Sequence, residues 1–207
     1  MTVGLDDVGV ENALRDGLVG CPRTGCGGLL RCWGWARERA VRGVGVVRPR
    51  RGRCAGCLGT QVLLPASVLL RRADAVTVIG AALLAKAQGS GHRRIARGLG
   101  LPASTVRGWL RRIGVVAGRV LAVLAAAAAE LGVEFIPPAP TVGPLAAVVE
   151  LVGALARGVA RRLRGSSSPW RLAAVITGGR LLAPHGPDLA VAMTAARNTS
   201  WLWAAGR

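Results

Sequence analysis

The residues best suited to chemistry in this chain are cysteines in two close pairs. Cys21-Pro-Arg-Thr-Gly-Cys26 is followed by Gly27 and Gly28. Cys54-Ala-Gly-Cys57 comes about 27 residues later, with Gly56 and Gly59 around it. Two tight turns that each offer a pair of thiolates can complete a tetrahedral shell around one ion, and the glycines let backbone N–H groups bend toward the sulfurs. The spacing therefore predicts a structural zinc site with Cys21, Cys26, Cys54 and Cys57 as ligands. Four thiolates leave no open position for water, so zinc catalysis is not expected. Cys32 is left over. One reading makes it a small buried apolar residue in a strand; the other makes it a ligand in place of Cys21 or Cys26. A disulfide reading is weaker, because the acidic, weakly apolar N-terminus carries no secretory signal and cytosolic cysteine pairs more often hold metal.

A second constellation runs from His92 to Leu110, HRRIARGLGLPASTVRGWL. Ile95 and Leu99 give a first helix its apolar face, with the small Ala96 at the closest approach of a second helix. Gly100 marks a sharp turn, since a left-handed backbone costs glycine little. Pro102 fits the first turn of the next helix. Val106, Trp109 and Leu110 then recur at i, i+3, i+4 as its buried face. Ser104, Thr105, Arg107, Arg111 and Arg112 remain on or beside the outer face. The pattern predicts a helix-turn-helix whose second helix enters the major groove of DNA. Ser104, Arg107 and Arg111 would reach base edges or nearby phosphates, Arg93, Arg94 and Arg112 would hold the backbone, and Thr105 is counted among the DNA-binding residues. The competing reading is a helical hairpin with a solvated charged face.

Composition agrees with a polyanionic partner. The 207-residue chain carries 28 Lys plus Arg against 10 Asp plus Glu, a formal net charge of +18. Lys86 is its only lysine. A GC-rich genome explains many arginines but not the shortage of acids; a charge this high favours nucleic acid or an anionic membrane surface. With six Trp, one Phe and no Tyr, aromatic stacking platforms for single strands are scarce, which favours duplex DNA. The longest uncharged run, 54–70, is interrupted by Pro65, Gln61 and Thr60, so a membrane-spanning helix is not expected.

The elements that must position these residues follow from patterning. Residues 1–20 read as a short N-terminal tail or a first partial helix, with the solvated tail preferred. Residues 21–70 read as a small β zinc ribbon, with strands over 29–35, 44–48 and 60–64. Its arginines, densest at Arg48-Pro49-Arg50-Arg51-Gly52-Arg53, either clamp phosphates or simply solvate a hairpin. Residues 71–114 form a three-helix helix-turn-helix domain. Its first helix starts near Asp74 as N-cap and uses Val76, Ile79, Leu83 and Leu84. Residues 115–207 form a C-terminal helical region: an Ala-rich helix to 132, a Pro-rich linker at 135–140, a basic helix over 144–164, a helix over 170–176 and a last segment near the C-terminus. The fold class expected is mainly α, with a small β zinc ribbon ahead of these helices.

SGHRRIARGLGLPASTVRGWLRR resembles the homeodomain-like helix-turn-helix of transposases and their relatives. The order CPRTGCGG, RCAGC, TQVLLPA and then this segment is similar to an uncharacterised high-GC bacterial family of transposon-derived appearance. The resemblance covers about residues 20–114 and implies a zinc ribbon and DNA binding. This chain departs from the usual ribbon form: it has four residues between the first cysteines, and Thr60-Gln61 where a histidine often follows the second pair.

The function expected is a DNA-binding protein, transposon-related or regulator-like, acting in the cytoplasm at the nucleoid. Its partners are double-stranded DNA and, through the C-terminal helices, a second copy of the chain. No small-molecule substrate is inferred. A protein- or membrane-surface module is the alternative, with the basic helix 144–164 as the membrane candidate. An active transposase is disfavoured, because two-metal phosphodiester chemistry needs clustered carboxylates and only Glu130, Glu134, Glu150 and Asp188 follow the helix-turn-helix. His92 and His185 are assigned no site; His185 reads as a loop residue.

Overall fold

A computed structural model describes residues 2–4, 6–136, 143–163 and 168–187. The first strand, β1 (Thr2–Gly4), leads into helix α1 (Asp7–Arg15). Asp6 caps α1 by accepting from the Gly9 N–H at 2.7 Å. Val10, Ala13 and Leu14 are buried at i, i+3, i+4 and pack with Leu30 and Leu63. Burying one such leucine contributes about 1.5–3 kcal/mol. Residues 6–19 are thus part of the core and not a solvated tail; the Asp6 cap and the Val10/Ala13/Leu14 stripe outweigh the local acidity.

Strands β2 (Leu30–Trp35), β3 (Arg39–Val41), β4 (Gly45–Val47), β5 (Arg50–Cys54) and β6 (Thr60–Pro65) follow. The main sheet has the order β1-β6-β5-β2. β1 runs parallel to β6, and the β6–β5 and β5–β2 pairs are antiparallel. β3 and β4 form a separate hairpin. Helix α1 covers one face of the main sheet, where Leu14 meets Leu30 and the backbone of Gly52. The arginine-rich stretch at 48–53, expected as a phosphate clamp or a solvated hairpin, runs from Arg50 into the inner strand β5, where Gly52 and Cys54 are buried.

Helices α2 (Val76–Ala87), α3 (His92–Leu99), α4 (Ala103–Glu130), α5 (Pro144–Leu163) and α6 (Pro169–Ile176) complete the described elements. Asp74 does not cap α2. The cap position is Ala75, with no side-chain bond, and Asp74 instead pairs with Arg42 of the β3–β4 hairpin at 3.3 Å. Val76, Ile79 and Leu83 are buried as expected, whereas Leu84 is exposed.

The expected mainly α fold, with a discrete ribbon, a three-helix helix-turn-helix domain and a separate C-terminal helical region, is corrected. The described residues are 49% helix and 18% strand. Helices α2, α3, α4, α5 and α6 share one core. The boundary expected at residue 114 falls inside α4, whose buried stripe runs unbroken through Val106, Trp109, Ile113, Val116, Val120, Val123, Leu124 and Ala127. Gly114 and Gly118 lie on its exposed side and do not interrupt that stripe. Helix α2 also packs on α5 and α6. At Gly80 a Cβ would sit 2.1 Å from the Trp170 indole, so glycine is what lets α6 lie against α2. The turn after α6 joins both halves: Gly178 O accepts from Thr2 N at 3.3 Å, and Gly179 O accepts from Leu70 N at 2.9 Å.

Helix α4 is long and apolar enough to cross a membrane by length and composition. Here its apolar stripe is used against α5 and the other helices. The basic helix α5 likewise buries Ala147, Val148, Leu151, Val152, Leu155 and Val159. Most of the linker expected at 135–140, the end of the basic helix at Arg164, Asp188 and the last expected helical segment lie outside the described residues.

Candidate metal centre and basic surfaces

The two cysteine turns meet at the end of the main sheet. The first is held by Cys21 N donating to Gly28 O at 2.7 Å and Cys26 N donating to Arg23 O at 3.1 Å. The second is held by Leu58 N donating to Cys54 O at 3.1 Å and Cys54 N donating to Gly59 O at 2.9 Å. Close approach requires Gly28: a Cβ there would lie 2.7 Å from Cys54 Sγ and 3.1 Å from Gly56 N. Cys21 and Cys54 are buried, and Cys26 and Cys57 are half-buried.

All four sulfurs lie within 4.8 Å of one another, and this group can hold a metal ion. Two approaches run between the turns, Cys21 to Cys57 at 3.7 Å and Cys26 to Cys54 at 3.5 Å. A tetrahedral ion with metal–sulfur bonds of about 2.3 Å places its thiolates about 3.8 Å apart, so the spacing fits. Burial pushes the Cys21 thiol up to about 12, and neighbouring sulfurs add to the effect. Cys54 is pulled down to about 6, chiefly by the Cys57 N–H and further by the Gly56 N–H. Backbone N–H groups aimed at a sulfur stabilise its thiolate, the form that binds metal.

Cys32 takes neither role foreseen for it. It is exposed and stands outside the four-sulfur group. It accepts from Arg50 Nη2 at 3.0 Å. Arg50 also makes a two-pronged pair with Glu11 of α1, both distances 2.6 Å. This pair holds the Glu11 carboxyl below its usual range and pins α1 to β5.

The second candidate surface is the corner between α3 and α4. Gly100 has φ 63°, the left-handed conformation that ends α3. Pro102 stands one residue ahead of α4, as its N-cap. Ile95, Ala96, Leu101, Val106 and Trp109 are buried, whereas Leu99 and Leu110 are half-buried. Arg93, Arg94, Ser104, Arg107, Arg111 and Arg112 are all exposed, and Thr105 is half-buried. Arg97, which the sequence reading passed over, is exposed one turn beyond Arg93; its i, i+4 spacing was the available signal. Among the described residues the ion pairs are Arg42–Asp74 and Arg50–Glu11, so the guanidinium groups of this corner are not neutralised by carboxylates. Arg111 and Arg112 line an open cleft of about 510 Å³ with Gly108, Val115, Ala183 and Pro184. Arg72 donates to Leu182 O at 2.8 Å beside it. Its pKa is lowered by burial and by the charge of Arg112.

Glu130, Glu134 and Glu150 are exposed and join no group able to hold a metal among the described residues. His185 sits in a turn, where its carbonyl accepts from Arg119 Nη1 at 2.7 Å. No family model matches this chain, and no curated protein or solved structure matches it either.

Proposed function

We propose that this protein binds duplex DNA through the α3–α4 corner and carries a structural zinc ion on Cys21, Cys26, Cys54 and Cys57. The observation that carries the DNA reading is the set of exposed, unneutralised arginines on α3 and the first turns of α4, around a turn with left-handed Gly100. Neither α3 nor α4 contains an acid before Glu130. Arg107 and Arg111, one turn apart on α4, reach base edges. Arg93, Arg94, Arg97 and Arg112 meet phosphates, and the cleft beside Arg111 and Arg112 suits a backbone phosphate. The resemblance of residues 92–112 to transposase-type helix-turn-helix segments supports the same reading. Zinc is favoured over other ions by an all-thiolate set at tetrahedral spacing, which also closes the shell and confines the ion to holding the two turns together.

The reading is tested by selecting bound sequences from a random duplex pool. A bidentate arginine–guanine contact discriminates by about 1–3 kcal/mol. Arg107→Ala is expected to blur one position of the enriched motif, whereas Arg93→Ala weakens binding evenly across sequences. No enrichment, together with duplex affinity that ignores both substitutions, would overturn it.

A further inference from the structure

The main sheet has one face that α1 leaves open. Alternation along β5 sends Gly52 and Cys54 inward and Arg51 and Arg53 outward. Gly52 meets Leu14 of α1 and Leu30 on the inner face. Arg31 is paired across the strands with Arg53 and shares the outer face. The register between β2 and β5 slips between Cys32 and Gly34. Trp33 is therefore the extra residue of a bulge, a device that re-aims a side chain. It stands on the outer face with the Arg53 guanidinium 4.3 Å from its ring centroid. Trp35, beyond the bulge, is turned instead toward Arg50 at 4.0 Å. Trp33 is 53% exposed; Arg31, Arg51 and Thr60 are exposed too, with the Arg31 guanidinium reaching toward Gly17 at the end of α1. Its strands β2, β5 and β6 contain no acid.

A large exposed indole stacked on one guanidinium, on a sheet whose strands carry two more exposed arginines, has a specific complement. It fits a partner that offers flat π-faces and a polyanionic backbone together. Bases in a duplex are stacked on each other and hide those faces, whereas a single strand presents them. We propose that the open face of β2, β5 and β6 binds single-stranded DNA, with a base stacked on Trp33 and backbone phosphates held by Arg31, Arg51 and Arg53. The choice of DNA as the strand rests on the duplex reading of the α3–α4 corner; the surface itself does not. Composition alone argued against single strands. What reverses that inference is the position of one tryptophan, not the number of aromatics.

The test is fluorescence anisotropy of the full chain with a labelled 12-residue oligo(dT), beside a labelled duplex and an oligo(U) of the same length. Trp33→Ala is expected to weaken oligo(dT) binding roughly tenfold or more while duplex binding stays as it was. Trp33→Phe keeps most of the affinity and serves if the alanine variant folds poorly. Arg31→Gln with Arg51→Gln weakens oligo(dT) binding and makes the remainder less salt-dependent. Arg107→Ala with Arg111→Ala is expected to leave oligo(dT) binding intact, so failure of the duplex reading and failure of this one are separable. Oligo(dT) affinity that ignores Trp33→Ala and the double glutamine variant would overturn the proposal. So would tighter binding to oligo(U) than to oligo(dT), which would make the strand RNA.

Discussion

Gly80→Ala distinguishes a single helical body from a free-standing three-helix unit, because the two arrangements predict opposite signs. In an α2 that packed only on α3 and α4, alanine in the helix interior would stabilise by about 0.5–1 kcal/mol. In this structure the new methyl would lie 2.1–2.3 Å from three atoms of the Trp170 ring. The indole is rigid and half-buried against the shared core, so it must tilt or α6 must shift. Overpacking of this kind costs about 1–3 kcal/mol, more than the propensity gain. Urea unfolding followed by circular dichroism should place Gly80→Ala at a lower midpoint than the parent with a similar slope. The double-mutant cycle sharpens the test. In a Trp170→Ala background the clash is gone, and Gly80→Ala should become neutral or stabilising, a coupling that only residues in contact show. Stabilisation by Gly80→Ala in the parent chain would refute the packing of α6 on α2.

Three further outcomes follow from the same geometry. Gly28→Ala forces a methyl against Cys54 Sγ, 2.7 Å away; zinc content should fall well below that of the parent chain and of a Gly118→Ala control, where nothing lies near. Glu11→Gln should cost about 1 kcal/mol at neutral pH. The Glu11 pKa is depressed in the folded state by Arg50, so the parent's advantage is complete above the ordinary value of 4.5. It disappears as pH falls through the lower folded value, which paired acid titrations of unfolding midpoint would read. Leu124→Ala, at a fully buried site where α4 faces the shared core, should destabilise by about 2–5 kcal/mol and lower the single unfolding midpoint of the helical body.

The four-cysteine group was legible because its determinants are local. Ligand type, pair spacing and flanking glycines all lie within two short turns, and the structure brings the four expected cysteines together. The α3–Gly100–α4 corner was legible for the same reason. What escaped the sequence depends on partners distant along the chain. The pairing of β1 with β6 spans some sixty residues, and the contact of Gly80 with Trp170 spans ninety. Strand β5 was hidden because four arginines in six positions look like a solvated patch, although Gly52 and Cys54 alternate as a strand should. Helix α1 and the true length of α4 were there to be read. Val10, Ala13 and Leu14 behind Asp6 mark one, and the stripe continuing from Ile113 to Ala127 marks the other. The turn at Gly100 suggests a domain that ends near residue 114, but the periodicity of α4 has no break there.

The central claim is that the α3–α4 corner is the duplex-binding surface and that the zinc site supports the fold without taking part in the contact. The most direct measurement titrates a labelled duplex with the parent chain and with the Arg107→Ala, Arg111→Ala variant across a salt series, with zinc quantified in the same preparations. The account predicts one zinc per chain in both. It also predicts parent binding that falls steeply with salt, by about 0.9 log units per tenfold change for each phosphate engaged, and at least tenfold weaker binding by the variant. Equal duplex binding by the two proteins, with zinc present in both, would contradict it.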